Sequence, residues 1–366
     1  MDQFFGGLRK LFQTGKTVID NYVFQLHYRL TVIILIAFSL LVTGRQYFGD
    51  PIDCISKDDI PSDLLDTFCW IHTTFSVPSA WHKEVGEEVP YPGVDKFVKG
   101  EKKVHHAYYQ WVCFVLFLQA ILFYLPRYFW KAMEGDRVKS LVMDLKSPIL
   151  SGEQLKKRKK LIMEYMVKHF KHHRMYALKY FLCELLTFVN VVGQMFLMDK
   201  FFDGEFFKYG LDVIKYSQDD QDIRIDPMIY VFPRVTKCIF HLYGPSGNVE
   251  TYDVMCVLPL NIVNEKIYIF LWFWFIILAC FTSIVLAARI LTLAIPCLRI
   301  YFMRFRCRHV PLKHLKFIVS STNIGDWFVL YQLSKNIDTL LFRDVISELA
   351  RKLEEGEEFE QENLVI

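Results

Sequence analysis

Residues 267–295 read IYIFLWFWFIILACFTSIVLAARILTLAI, and Arg289 is the one charged side chain among them. A bilayer's hydrocarbon core takes a helix of about 20 mostly apolar residues, so this run is read as a membrane span. Working outward, Ala107–Trp130 is a second run of the same kind. Tyr176–Met198 forms a third, interrupted by Lys179, Glu184, Asn190 and Gln194, and Tyr28–Phe48 a fourth, with its apolar centre at Val32–Phe38 and Arg45 near its end. The composition agrees with spans separated by sizeable aqueous segments: 53% hydrophobic and 16% aromatic, yet 23% charged over 366 residues. A net charge of +3 gives no ground for a nucleic-acid partner or an acidic substrate. The first long apolar run starts too late for a secretory signal, and Asp2 is incompatible with N-myristoylation.

Lysine and arginine mark the cytoplasmic side of a membrane. Residues 127–174 are densely basic, containing KSPILSGEQLKKRKK and KHFKHHR, and RIYFMRFRCRH follows the last span. Residues 49–103 hold no arginine and more acids than lysines, and 199–266 are also acid-rich. This alternation predicts both termini in the cytoplasm and two loops outside. The outer loops then hold one cysteine pair each, Cys54 with Cys69 in CISKDDIPSDLLDTFC, and Cys238 with Cys256. Thiols in an oxidising compartment close into disulfides, which small exposed loops need in place of a large core. Four cysteines allow three connectivities. The other five, Cys113, Cys183, Cys280, Cys297 and Cys307, fall in spans or on the reducing side. No pair has the close spacing of a structural zinc site.

Between the spans, TKCIFHLYGPSGNVETYDVMC alternates around Gly244-Pro245-Ser246-Gly247 and predicts an antiparallel hairpin pinned to the first loop. Residues 154–170 and NIGDWFVLYQLSKNIDTLLFRDVISELARKLEE have helical patterning and are expected to form one cytoplasmic layer. The acidic tail EEGEEFEQEN reads as disordered. In MDQFFGGLRKLF the apolar residues share a helical face, which suits a helix lying on the inner membrane surface or one folded into a pore mouth. On the third span Lys179, Thr187, Asn190 and Gln194 share a sector with Glu184 at its flank, either bonding between helices or facing a pore. His169, His172 and His173 lack a companion carboxylate at zinc-protease spacing and read as a solvated basic face; His105 and His106 read as interfacial. Phosphate-binding glycine loops, H-E-x-x-H and G-x-S-x-G are absent, so neither an enzyme, a cofactor nor a metal is expected.

The second span opens with Tyr108-Tyr109-Gln110-Trp111-Val112, on physical grounds an aromatic belt at the outer interface. It also resembles, letter for letter, the YYQWV signature of the innexins, the gap-junction proteins of invertebrates. RQYFGDPIDC, FPRVTKCIFHLYGPSG, CVLPLNIVNEKIYIFLWFW and NIGDWFVLYQLSKNID resemble further innexin segments, so the likeness covers almost the whole chain.

The resemblance implies a mostly α membrane protein: a four-transmembrane-helix bundle, a cytoplasmic helical domain and small disulfide-linked extracellular α/β loops. The expected layout is a cytoplasmic N-terminal pore helix and linker at 1–27, spans at 28–48, 107–130, 176–198 and 267–295, outer loops at 49–106 and 199–266, a cytoplasmic loop at 131–175 and a helical C-terminal region with acidic tail at 296–366. It further implies a nested pairing, Cys54 with Cys256 and Cys69 with Cys238, and puts Asp2, Gln3, Phe4 and Phe5 at the pore constriction. Subunits would form a ring, an octamer by preference, in the plasma membrane, docking with an apposed ring of the same or another innexin to pass ions and small molecules. Neither outer loop carries an N-x-S/T acceptor that would hinder apposition, and Asp50, Asp53, Asp58 and Asp59 are expected to bias the vestibule toward cations. The competing readings are an undocked hemichannel and a non-conducting four-span adhesion or scaffold protein.

Overall fold

The structure, a computed structural model, describes residues 17–55, 60–98, 100–142, 152–216 and 228–364. The helices of its first half are α1 (Tyr22–Phe48), α2 (Ser62–His72), α3 (Val112–Glu134), α4 (Arg137–Val142), α5 (Gly152–Lys168), α6 (Arg174–Phe201) and α7 (Phe206–Tyr216). After these come α8 (Met228–Val231), α9 (Pro259–Ala294), α10 (Pro296–Arg306), α11 (Leu312–Ser321), α12 (Ile324–Ser334) and α13 (Thr339–Leu364). Helices α1, α3, α6 and α9 are long and apolar enough to cross a membrane.

The first, third and fourth start ahead of the spans expected from sequence, while α3 starts later than expected, at Val112, and runs on to Glu134. The first begins at Tyr22, ahead of Tyr28, because Asn21 caps it by accepting from the Phe24 N–H at 2.6 Å. Its second turn, Leu26–Thr31, is π-helical. Helix α9 has 36 residues, about 54 Å of rise against a hydrocarbon core of about 30 Å. Its first turns therefore project, and they carry the buried polar side chains Asn261, Asn264 and Glu265.

The chain divides into two compact units, and the division falls inside each of the four long helices. One unit comprises Thr31–Leu122 and Asn190–Ile277. It holds a five-stranded sheet of β1 (Asp53–Cys54), β2 (Thr74–Ser76), β3 (Val104–His106), β4 (Val235–Tyr243) and β5 (Val249–Val257), in the order β1-β5-β4-β2-β3 with every pairing antiparallel. Strands β4 and β5 form the hairpin, with Val235 opposite Val257 and Tyr243 opposite Val249. Its turn closes through the Gly244 N–H to the Asn248 carbonyl at 2.8 Å, and Gly247 takes φ +78°, a conformation glycine adopts without strain. The small core beneath the sheet gathers Ile52, Leu65, Tyr109, Phe240, Val254 and Leu258 around four cysteines.

The other unit runs up to Leu30, then Phe123–Val189, then from Leu278 onward. Its core is aromatic and aliphatic, built on Trp130, Tyr180, Trp327, Phe328 and Phe342, each fully buried. Helix α12 is the centre of this layer, packing on α4, α10 and α13. That explains why its sequence, IGDWFVLYQLS, is apolar on nearly every side: nine of its residues are buried. The acidic tail departs from expectation. Helix α13 continues through it to Leu364, consistent with the high helix propensity of glutamate, glutamine and leucine once a packed first half has nucleated the helix.

Candidate functional site

In the sheet unit, two disulfides join segments far apart in sequence. Cys54 and Cys256 are opposite one another on β1 and β5 and are bonded; Cys69, on the last turns of α2, is bonded to Cys238 of β4. The sulfurs of Cys54, Cys69 and Cys256 all lie within 4.8 Å of one another. Oxidised sulfur is no thiolate ligand, so this cluster suits a covalent staple rather than a metal. Asp66, on α2, accepts from the Cys54 N–H at 2.7 Å. Burial holds its carboxyl above the usual range, the Cys54 N–H opposes that, and Asp53, Asp63 and Asp50 add repulsion.

The sequence motifs prove to be mutual contacts. Arg234 of FPRVTKC grips the fully buried Glu265 of NIVNEK through Nε at 3.2 Å and Nη2 at 2.9 Å. Asn261 donates to the Pro233 carbonyl at 2.8 Å, and the Arg234 carbonyl accepts from the Leu258 N–H at 2.7 Å. Gly210 of α7 lies so close to Trp272 that a Cβ would fall 2.1 Å from the indole.

The YYQWV segment corrects the aromatic-belt reading. Tyr109 is fully buried against Trp70, with ring centroids 4.7 Å apart, and Tyr108 packs edge-on to Phe202 and Phe232. Gln110 donates to the Trp70 carbonyl, and Trp111 alone of the three aromatics is exposed. A short 3-10 turn at Tyr108–Gln110 aims the two tyrosines into the unit, a geometry that a helical-periodicity reading does not see.

His106 is likewise buried rather than interfacial. It pairs with Ser76 at 2.8 Å, and burial, with His105 adding repulsion, lowers it from 6.5 to about 4. Across the sheet, Lys237 reaches the Asp95 carbonyl and Asp253, while Lys83 pairs with Asp95. Asp95 is held below the usual carboxylate range, chiefly by its hydrogen bond from Lys83.

In the helical unit, residues 18–21 form a strap. Asn336 accepts from the Val18 N–H at 2.7 Å and donates to the Val18 carbonyl at 2.6 Å. The Ile19 carbonyl accepts from Trp130 at 3.1 Å and Gln332 at 3.2 Å. Asp20, 3% exposed, takes Arg127 and Tyr28 at 3.0 Å each and Gln25 at 2.7 Å. Lys335 reaches the Asp20 carbonyl at 3.3 Å; burial, with Arg289 assisting, brings its ammonium down to about 8 against the pull of Asp20 and Glu184. Sequence reasoning missed this strap, although Asp-Asn before an apolar run is a helix-start signature.

The third-span polar residues divide. Glu184 is buried and bonds between helices, to Arg289 of α9 and Asn21 before α1. Thr187 and Gln194 are buried and bond within their own helix, and Lys179 is half-buried. His169 and His172 are exposed, but His173 is buried and joins Asp326 at 2.6 Å and Tyr165 at 3.0 Å, which corrects the solvated-face reading for that residue. Asp326 also accepts from the Lys171 N–H at 2.9 Å. Gly325 beside it lies where a Cβ would meet the His173 backbone at 2.2 Å. The NIGDWF motif is thus a docking element for the start of α6. The pore-entrance candidates Asp2, Gln3, Phe4 and Phe5, together with Asp58 and Asp59, lie outside the described residues.

Four long apolar helices and two loops cross-linked into one sheet define a four-span membrane protein. The innexin family profile matches residues 20–353. Innexin inx2 of Drosophila melanogaster is 55% identical over 350 residues, 95% of each chain, and innexin inx2 of Schistocerca americana is 54% identical over 351, covering 96% of this chain and 98% of that one. Innexin shaking-B of Drosophila melanogaster is 50% identical over 351 residues, 95% of this chain and 94% of its own. The chain belongs to the innexin family, which forms invertebrate gap-junction channels.

Proposed function

We propose that this chain assembles as a ring, an octamer by preference, that docks through its two disulfide-braced loops with an apposed ring to carry ions and small molecules between cells. Both termini then lie in the cytoplasm, and no enzymatic step is involved. The observation that carries this reading is the covalent bracing of both loops into one sheet, within a family of junction channels. A docking surface must hold its shape without a large core of its own, and cross-links between distant segments serve that need.

Within this reading Asp2, Gln3, Phe4 and Phe5 line the pore entrance, positioned by the strap at Val18–Asn21 that is bound to Gln332 of α12, to Asn336 just beyond it and to α3. Asp50, just before β1, and Asp53, its first residue, both exposed, bias the vestibule toward cations. The test is dye transfer between paired cells expressing only this chain. Transfer is the expected result. Uptake by single cells without transfer would favour an undocked hemichannel, and adhesion without either would overturn conduction.

A further inference from the structure

We propose that the groove between α4 and α5 in the helical unit is a binding site for a small anion bearing clustered phosphates. The groove has a volume of about 590 Å³, in the range of small-molecule sites. Arg137 and Ser140 form one rim and Lys168 and His169 the other, over a floor of Leu141 and Leu161. A second, smaller hollow of about 360 Å³ shares Lys168 and extends to Lys352 of α13.

Charge decides the ligand class. Among the described residues, Arg137, Lys168 and Lys352 are in no ion pair; Arg137 lies 5.8 Å over the Tyr176 ring instead. The one acid in the groove, Glu164, lies 3.7 Å from Lys160 on its own helix and is partly offset by it. Two permanent cations, Arg137 and Lys168, facing one screened carboxylate, with Lys352 in the adjoining hollow, favour a multiply charged anion. A guanidinium beside an ammonium and a hydroxyl matches phosphate oxygens in geometry as well as sign.

The wall of the site is held in advance. Tyr165 stands between the rims, its hydroxyl 3.0 Å from Nε2 of His173, whose Nδ1 lies 2.6 Å from Asp326. This chain fixes the half-buried tyrosine without ligand, so the wall of the groove is preformed, while the exposed Arg137 and Lys168 side chains order on binding. The site is independent of docking between rings. With both termini in the cytoplasm, it opens on that side of the membrane.

The test uses the full-length protein in nanodiscs. One arm titrates soluble inositol trisphosphate over neutral-lipid discs; the other compares discs with and without phosphatidylinositol bisphosphate, separating a free phosphate from a lipid headgroup. Binding in either arm is expected. Arg137→Gln with Lys168→Gln should weaken it by roughly tenfold or more, and Ser140→Glu, which puts a carboxylate into the groove, should do the same. Lys156→Gln with Lys157→Gln removes equal charge from α5 outside the groove and should change affinity less than about twofold. Equal losses from the two double variants would reduce the effect to diffuse charge and overturn the site. So would absence of binding in both arms at about 1 mM probe.

Discussion

Glu184 and Arg289, on different membrane-spanning helices, form a two-point ion pair at 2.9 and 3.0 Å with side chains 3% and 16% exposed. Removing one partner strands the other charge in a low-dielectric site, at a cost of about 3–5 kcal/mol. Arg289→Met should therefore lower the melting temperature of the purified protein markedly. Glu184→Met combined with Arg289→Met should recover much of that loss, since replacing both charges avoids the stranded ion. A double variant as unstable as the single one would contradict this account.

The two disulfides close loops with sequence separations of 202 and 169 residues. Each alone constrains the unfolded chain by about 2–5 kcal/mol, but they are nested, so with one formed the other closes a far smaller ring. Cys69→Ser and Cys54→Ser should each destabilise the sheet unit modestly, because the remaining bond leaves only that small ring open, and the double variant should lose more than the sum. Thermal melts of the sheet unit's near-ultraviolet signal, with and without reductant, measure this directly.

Gly325→Ala places a methyl group against the His173 backbone. Backbone yields less readily than a side-chain end, so the cost should sit at the upper end of about 1–3 kcal/mol. Surface abundance and melting temperature should both fall. Gly152→Ala, where a Cβ meets open space, should leave both unchanged.

His106 is held neutral in the folded sheet, its value brought from 6.5 to about 4 by burial. The unfolded chain binds the extra proton across that interval, so stability is full above pH 6.5 and falls as the pH drops toward 4. The loss should be on the order of 2–3 kcal/mol. His106→Gln should flatten that part of the stability profile, measured by denaturant unfolding between pH 7 and pH 4. An unchanged slope would show that His106 is not the titrating group.

Asn336→Leu removes both hydrogen bonds to the Val18 backbone. Each lost bond costs about 0.5–1.5 kcal/mol at this part-buried position, enough to loosen the start of the strap at Val18 while Ile19 and Asp20 keep their own partners. Junctional conductance between paired cells should change while surface abundance holds. Unaltered conductance would separate the strap from the permeation path.

The sequence by itself determined the four spans and the hairpin, because each is written in local composition or in short-range period, and its long motifs carried the resemblance to the family. Residues 267–295 need no partner to be read as a span, and Gly244–Gly247 marks a turn wherever it occurs. Tertiary structure alone decided which polar groups meet. Glu184 looks on a helical wheel like one member of a polar stripe, yet it is fixed by Arg289, 105 residues away. Asp326 stands in an apolar helix without apparent reason until it is placed against His173. Tyr108 and Tyr109 read as interfacial until a tight turn buries Tyr109 and packs Tyr108 against Phe202 and Phe232. The physical reason is the same in each case: apolar burial depends on a residue's own neighbours in sequence, whereas a buried charge or hydroxyl is tolerated only with a partner, and that partner comes from a distant part of the chain.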